Sequence, residues 1–166
     1  REQAREYGLA DRGLSTHAVF FDYDLDGDLD CYVLNNSFRP IGSFDFSQDL
    51  RKVVDEIGGD RLYRNDNGQY LNVSAQAGIY SSDIGFGLGV SSADVNQDGY
   101  PDLYVSNDFF ERDYLYINQK DGTFREDIQN QTTHLSLASM GSDIADINND
   151  GLYDIFTTEM LPEGDQ

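Results

Sequence analysis

The stretch DVNQDGYPD at residues 94–102 is one of three related copies that together determine the fold prediction. The other copies are DYDLDGDLD at 22–30 and DINNDGLYD at 146–154, so that all three read D-x-[DN]-x-D-G-x-x-D. Each copy lies between two short runs of β-prone residues, such as 89–93 before the second copy and 103–106 after it. The repeat therefore predicts a strand, an aspartate-rich loop and a second strand, three times over.

The first two copies are each followed by a second repeated element, a predicted hairpin. It covers residues 61–70 and 114–124, with Asn-Gly at 67–68 and Asp-Gly at 121–122 as the turn signals. Four short strands in each repeat of about 40–50 residues are typical of a β-propeller blade. We predict an all-β fold, a partial β-propeller in which each blade is a four-stranded antiparallel sheet. Residues 1–166 would form a segment of a single propeller domain, with blades at approximately 14–76, 85–130 and 138–166, the last incomplete.

The length of 166 residues supplies roughly two blades and part of a third. Propellers typically contain four to eight blades. We therefore expect the sequence to be part of a longer chain or to be completed by other subunits. It begins at Arg1 without an apolar leader, so any export signal is expected upstream.

The first repeat contains an insertion between residues 36 and 60. The first and second aspartate loops begin 72 residues apart, whereas the second and third begin 52 residues apart. Within the insertion, Leu50, Val53, Val54 and Ile57 follow the i, i+3, i+4, i+7 spacing of an amphipathic helix. This spacing predicts a short helix at 47–57, with Ser47 as its N-cap and Gly58 as its stop. The helix would serve either as a packing insert or as a recognition element.

The three aspartate loops are the predicted metal sites. Hard divalent cations such as calcium take six to eight oxygen ligands, and alternating Asp and Asn side chains with a glycine at position 6 resemble the start of an EF-hand loop. An EF-hand needs a glutamate at position 12, where this chain has Val33, Val105 and Thr157 in predicted strands. We predict about three calcium ions, one in each loop, and no other cofactor. The predicted ligands, with a backbone carbonyl at position 7, are Asp22, Asp24, Asp26, Asp28 and Asp30; Asp94, Asn96, Asp98, Tyr100 and Asp102; and Asp146, Asn148, Asp150, Leu152 and Asp154.

Two residues near the first loop depart from the simplest pattern. Asp28 places a carboxylate at position 7, where only the carbonyl should bind, and we expect its side chain to be exposed. Cys31 occupies a strand position where leucine would be ordinary, and we interpret it as a small buried apolar residue.

The loops and hairpins carry a family resemblance. Together with LYRN at 62–65 and DGTF at 121–124, the strand-flanked loops resemble the FG-GAP/VCBS calcium-binding propeller repeats. The stretches NNSFRP at 35–40, SNDFFERDYLYIN at 106–118 and SMGSDIADINNDG at 139–151 look like the large exported VCBS-repeat proteins of Bacteroidota, which often end in an ASPIC/UnbV-type domain. The resemblance implies a secreted or lipid-anchored outer-membrane surface protein with calcium in each loop.

Composition excludes several classes of function. The formal net charge of −20 disfavours nucleic acid and anionic membranes as partners. No apolar run is long enough for a transmembrane segment, and one cysteine cannot form an internal disulfide. We find no G-x-S-x-G, HExxH or CxxC motif, and we interpret His17 and His134 as packing or capping residues rather than catalysts. Phe109 and Phe110 could stack on a sugar or a partner protein, or pack against the neighbouring blade, which is the favoured interpretation.

The sequence thus predicts a non-catalytic module at the bacterial cell surface. It would be stabilised by calcium and would bind or scaffold a protein or a glycan, as in adhesion. Two alternatives stay open: an accessory propeller of a secreted polysaccharide-degrading enzyme, and a subunit of an outer-membrane nutrient-uptake assembly.

Overall fold

The computed structural model describes residues 1–45 and 49–160, and its strands form three antiparallel sheets. The first sheet has the order β1 (Leu14–Phe21), β2 (Asp30–Asn36), β3 (Arg61–Asp66) and β4 (Gln69–Asn72). The second repeats this order with β5 (Gly87–Ala93), β6 (Asp102–Asn107), β7 (Tyr114–Asn118) and β8 (Phe124–Glu126). The third contains β9 (Ser139–Ala145) and β10 (Asp154–Glu159). The prediction of an all-β chain built from four-stranded antiparallel sheets, a partial propeller, is confirmed.

Short helices precede the first sheet and connect the sheets that follow. Single-turn helices lie at α1 (Ala4–Tyr7), α2 (Ser74–Ala77) and α3 (Ile128–Gln131). α2 ends at Gly78 with φ of 78°, and a Cβ there would lie 2.8 Å from the carbonyl oxygen of Phe124 in the next sheet. Only glycine allows both the left-handed backbone and this close approach. Within the described residues, none of the helices has the length and apolar character needed to cross a bilayer.

The main core lies between the first and second sheets. Leu34, Leu62, Leu103 and Val105 have no exposed surface, and neither do the rings of Tyr32 and Tyr116. Every residue of β6 and β7 is buried, as expected for central strands that are covered on both faces. The second sheet is therefore the most enclosed part of the described chain.

The first strands of successive sheets lie side by side. Thr16 Oγ1 in β1 donates to the carbonyl of Gly87 in β5 at 2.7 Å. Ser91 Oγ in β5 donates in turn to the carbonyl of Ser142 in β9 at 2.9 Å. The same kind of contact thus joins both pairs of neighbouring sheets, as required for blades arranged around a common axis.

The alternating strand directions separate two ends of the array. The aspartate loops and the turns of the hairpins lie at one end, which we call the loop end. The segments that follow β2, β4 and β6 lie at the opposite end, which we call the connector end. The insertion belongs to the connector end.

The prediction of an amphipathic helix at 47–57 is wrong for residues 49–57. The predicted N-cap Ser47 lies outside the described residues. The segment contains one 3-10 turn, Leu50–Lys52. Of the four apolar residues only Leu50 is buried, whereas Val53, Val54 and Ile57 are exposed. The reason is that tertiary partners take the backbone groups a helix would use: Asp55 N–H donates to the carbonyl of Ser81, and the Asp55 side chain accepts the N–H groups of Ile57 and Gly58.

The insertion packs against the second sheet. Phe44 and Leu50 form a small buried cluster with Ile84 and Phe86. Arg51 makes two hydrogen bonds to the buried carboxylate of Glu111, at 2.8 and 2.9 Å. A packing role is therefore shown, while a recognition role stays a prediction.

Candidate metal centre

The three aspartate loops share one backbone conformation. Position 4 has a left-handed backbone in each copy, with φ of 60° at Leu25, 58° at Gln97 and 59° at Asn149. Position 6 is a glycine with φ of 97°, 95° and 85° in the three copies. Positive φ is uncommon outside glycine, so its recurrence at position 4 identifies the loops as copies in conformation as well as in sequence.

The first aspartate of each loop is held by two backbone N–H groups. Asp26 N–H donates to Asp22 Oδ1 at 3.1 Å, and Gly27 N–H donates to Asp22 Oδ2 at 3.0 Å. Asp94 and Asp146 accept the equivalent pairs of bonds at 2.8 to 3.0 Å. The loop therefore curls around its first carboxylate.

The last aspartate of the loop joins it to the neighbouring hairpin. Asp30 is fully buried, and it accepts Tyr23 N–H at 3.0 Å and Asn65 N–H of β3 at 2.8 Å. Asp102 is also fully buried and accepts the N–H groups of Val95 at 3.0 Å and Asn118 at 2.8 Å. In the third loop, Asp154 accepts Ile147 N–H at 3.0 Å.

Asn65 and Asn118 were not predicted as site residues. The Nδ2 of each donates to a carbonyl of the adjacent loop, Leu29 at 3.1 Å and Pro101 at 3.2 Å respectively. Their shared position in the two L-Y-x-N stretches, 62–65 and 115–118, is the sequence signal that could have identified them.

The first loop brings three predicted ligands together. Carboxylate oxygens of Asp22, Asp24 and Asp30 all lie within 4.8 Å of one another, and in the described part of the chain no other His, Cys, Asp or Glu residues form such a group. Asp24 Oδ1 and Asp28 Oδ1 are buried and find no hydrogen-bond partner among the described residues. Carboxylate oxygens that lie this close together, one of them without a hydrogen-bond partner, are the kind of donor set that a hard divalent cation takes. The residues of the first loop therefore fit a calcium ion.

The electrostatics of the first loop point the same way. Burial raises the pKa of Asp30 to about 6. The pKa of Asp24 is also raised, by burial and then by the negative charge of Asp26. These shifts mean that the charged carboxylates are unfavourable in the loop by themselves, and a bound cation would stabilise them.

The side chain of Asp28 is not exposed as expected. It is half-buried, and its Oδ2 accepts Asn67 N–H from the β3–β4 turn at 3.3 Å. The reason is that the hairpin turn lies directly beside the loop, which the sequence order does not reveal.

The second and third loops differ from the first at position 3. Asn96 Nδ2 donates to Asp98 Oδ2 at 3.0 Å, and Asn148 Nδ2 donates to Asp150 Oδ2 at 3.0 Å. These loops contain three carboxylates each instead of five, so they carry less negative charge. Metal binding by the second and third loops stays a prediction. The same holds for ligation by Asp26 and by the position-7 carbonyls of Asp28, Tyr100 and Leu152.

A second pair of buried carboxylates, also not predicted, lies at the connector end. Asp60 Oδ2 accepts the hydroxyl of Tyr32 at 2.8 Å, and Oδ1 accepts Asn35 N–H at 2.9 Å. Asp113 makes the same two bonds, to Tyr104 at 2.6 Å and to Asn107 at 2.8 Å. The sequence signal is the D-x-L-Y pattern shared by 60–63 and 113–116. These carboxylates link β2 to β3 and β6 to β7.

The remaining candidates are two histidines, the cysteine and two phenylalanines. His17 lies in β1, where its Nδ1 accepts Val90 N–H at 3.2 Å, and Cys31 is buried, as predicted for both. The rings of Phe109 and Phe110 pack edge-to-face on Phe86, which precedes β5 of the same blade, with centroids 5.0 and 5.6 Å away, while the two residues stay 43% and 36% exposed. His134 is exposed.

Comparison with known families gives one match. A family described as FG-GAP-like repeat matches residues 50–105 and again residues 94–157. The first range contains the second aspartate loop and ends in β6. The second range begins at that same loop, contains the third loop and ends in β10. The first loop at 22–30 lies outside both ranges. No curated protein matches the sequence.

Proposed function

Because the chain belongs to the FG-GAP-like repeat family, we propose that it is a calcium-stabilised β-propeller module without catalytic activity. Calcium would be held by the aspartates and asparagines of the three loops, together with the carbonyls at position 7. The bound ion would neutralise the carboxylates and cross-link the strands on either side of each loop. The observation that carries this proposal is the converging group of Asp22, Asp24 and Asp30.

The repetition of the loop geometry supports the same role for the other two loops. All three share the positive φ values at positions 4 and 6 and the pair of bonds to the first aspartate. A ligand that binds only the folded chain stabilises it by about 2.7 kcal/mol when present at 100 times its dissociation constant. Calcium at several loops would therefore raise the melting temperature by many degrees.

The test is thermal unfolding of the chain, followed by circular dichroism, with EDTA and then with excess calcium. We expect EDTA to lower the melting temperature and calcium to restore it, with magnesium much less effective because it demands a smaller octahedral site. Asp24→Asn should reduce the calcium effect. The matched control is Asp66→Asn, which changes an aspartate of the nearby hairpin that is half-buried like Asp24 but lies outside the loops. An unchanged melting curve in EDTA would contradict the proposal.

We further propose that the module belongs to an exported protein and acts at the bacterial cell surface, where it binds or scaffolds a protein or a glycan. The resemblance to the VCBS-repeat proteins of Bacteroidota supports this setting. The connector end supports a binding role, because Phe38, Val54 and Ile57 are 59%, 67% and 50% exposed there. Binding of the calcium-loaded chain to a glycan array tests the glycan form of this proposal, and a Phe38→Ala variant provides the control for contact at this end.

A further inference from the structure

We propose that Asn118 is a positioning residue shared by the first and second aspartate loops, and that it makes calcium binding at residues 22–30 and 94–102 cooperative. The inference rests on the proposed function, since it concerns the same calcium sites. It adds a connection between them that neither loop contains by itself.

Asn118 holds the closing end of the second loop. It is 2% exposed at the end of β7. Its N–H donates to Asp102 Oδ1 at 2.8 Å, and its Nδ2 donates to the carbonyl of Pro101 at 3.2 Å. Asp102 and the peptide that precedes it are thus both fixed by Asn118.

The same side chain reaches the first loop. Asn118 Nδ2 also donates to the carbonyl of Tyr23 at 2.8 Å. That carbonyl belongs to the peptide that joins Tyr23 to the predicted ligand Asp24, and Tyr23 N–H donates to the closing Asp30. Asn118 therefore orients the peptide between two of the three converging carboxylates.

The Tyr23 ring reinforces this connection. It is 3% exposed, and its centroid lies 5.8 Å from that of Phe124 in β8, on the strand paired with β7. The first loop is therefore packed onto the hairpin that carries Asn118. A movement of either loop therefore shifts the buried side chain of Asn118, which is bonded to both loops.

Coupling follows from this shared ordering. A calcium ion in the second loop would restrain Asp102, and through it the Asn118 backbone and side chain. The Tyr23 peptide would then already be ordered when calcium enters the first loop, so that binding at the first loop loses less conformational entropy. By thermodynamic linkage, the effect must be equal in both directions.

Asn65 provides a matched comparison within the chain. Its N–H donates to Asp30 Oδ1 at 2.8 Å and its Nδ2 to the carbonyl of Leu29 at 3.1 Å, which are the bonds that Asn118 makes to its own loop. Among the described residues, Asn65 makes no hydrogen bond to a second aspartate loop. Asn118 and Asn65 thus differ in the bond to a neighbouring loop.

The experiment is a calcium titration of the whole chain, followed by the amide NMR signals of Gly27 and Gly99, which report the first and second loops separately. Asp98→Asn weakens the second loop and keeps an acceptor for Tyr100 N–H. We expect it to lower the calcium affinity of the first loop by at least about five-fold. Asp24→Asn should lower the affinity of the second loop by the same factor.

The two asparagine variants locate the coupling. In an Asn118→Ala background, the first loop should no longer respond to Asp98→Asn, whereas in an Asn65→Ala background it should still respond. Should Asn118→Ala fail to fold, the reciprocal pair Asp98→Asn and Asp24→Asn still tests the coupling. An Asn118→Ser background, which keeps the backbone N–H bond to Asp102 but lacks Nδ2, then tests the role of Asn118.

Independent affinities in that reciprocal pair would overturn the coupling, and a response that persists in the Asn118→Ala background would overturn the role of Asn118. Failure of the unaltered chain to bind calcium at all would overturn the proposed function itself, which is a different result.

Discussion

Two kinds of buried aspartate can be compared in this chain, and they differ in what surrounds them. Asp30 and Asp102 close the aspartate loops, and burial together with the negative charges of neighbouring aspartates raises the pKa of both carboxyls. Asp60 and Asp113 lie at the connector end and are bonded to a tyrosine hydroxyl and a backbone N–H. The second kind should affect stability through pH.

Asp60 leads to a prediction of pH-dependent stability. Burial raises the pKa of its carboxyl to about 7, whereas an unfolded aspartate titrates at about 4. Between these values the folded chain holds a proton that the unfolded chain releases. The free energy of unfolding should therefore fall as the pH rises through this window, by up to about 1.4 kcal/mol per pH unit.

The measurement is urea unfolding from pH 5 to pH 8 at a fixed excess of calcium. Asp60→Asn should remove most of the fall, because an amide does not ionise. Asp49→Asn, which changes an exposed aspartate, should keep the slope of the unaltered chain. A slope that is the same with and without Asp60 would contradict this prediction.

At the scale of elements, the insertion is held to the second sheet by an ion pair. Glu111 is 1% exposed, and Arg51 is the cation that meets both of its oxygens. A buried carboxylate left without its partner is strongly unfavourable. The insertion is therefore part of the stable structure rather than a loose loop on its surface.

Arg51→Ala should destabilise the chain by about 3 kcal/mol or more, because it leaves Glu111 buried without its counter-ion. The double variant Arg51→Ala, Glu111→Gln should recover much of this loss, since it removes the buried charge as well. Lys52→Ala is the matched control, because Lys52 is adjacent but exposed and should have no measurable effect. Chemical unfolding midpoints of the four proteins provide the measurement, and equal midpoints for Arg51→Ala and Lys52→Ala would contradict the prediction.

On the scale of the whole molecule, the third sheet is less enclosed than the second. In the described part of the chain, β10 pairs only with β9, whereas β6 pairs with both β5 and β7. Phe156 in β10 is 57% exposed, while every residue of β6 is buried. Stability within the chain should therefore be uneven.

Hydrogen–deuterium exchange of this chain should show that difference. We expect the amides of β10 to exchange much faster than those of β6, although both strands follow an aspartate loop of the same sequence pattern. Calcium should slow exchange in both strands. Equal protection of β6 and β10 would contradict the prediction.

The sequence predicted the strands and loops because their signals are local. The D-x-[DN]-x-D-G-x-x-D pattern fixes a turn between two β-prone runs, and the Asn-Gly and Asp-Gly pairs fix the hairpins. The helix predicted at 47–57 failed because the Asp55 side chain accepts the N–H groups of Ile57 and Gly58, and the carbonyl of the distant Ser81 accepts Asp55 N–H. Local spacing carries no information about such a partner.

Sequence alone therefore determined the repeat, the order of the strands and the candidate ligands, since each depends on residues that are close along the chain. Only the tertiary structure decided which residues of different repeats contact one another. The bond from Asn118 to Tyr23 joins residues 95 positions apart, and the pair between Arg51 and Glu111 joins residues 60 apart. These contacts depend on how one sheet packs on the next, because packing brings together groups that chain order keeps apart.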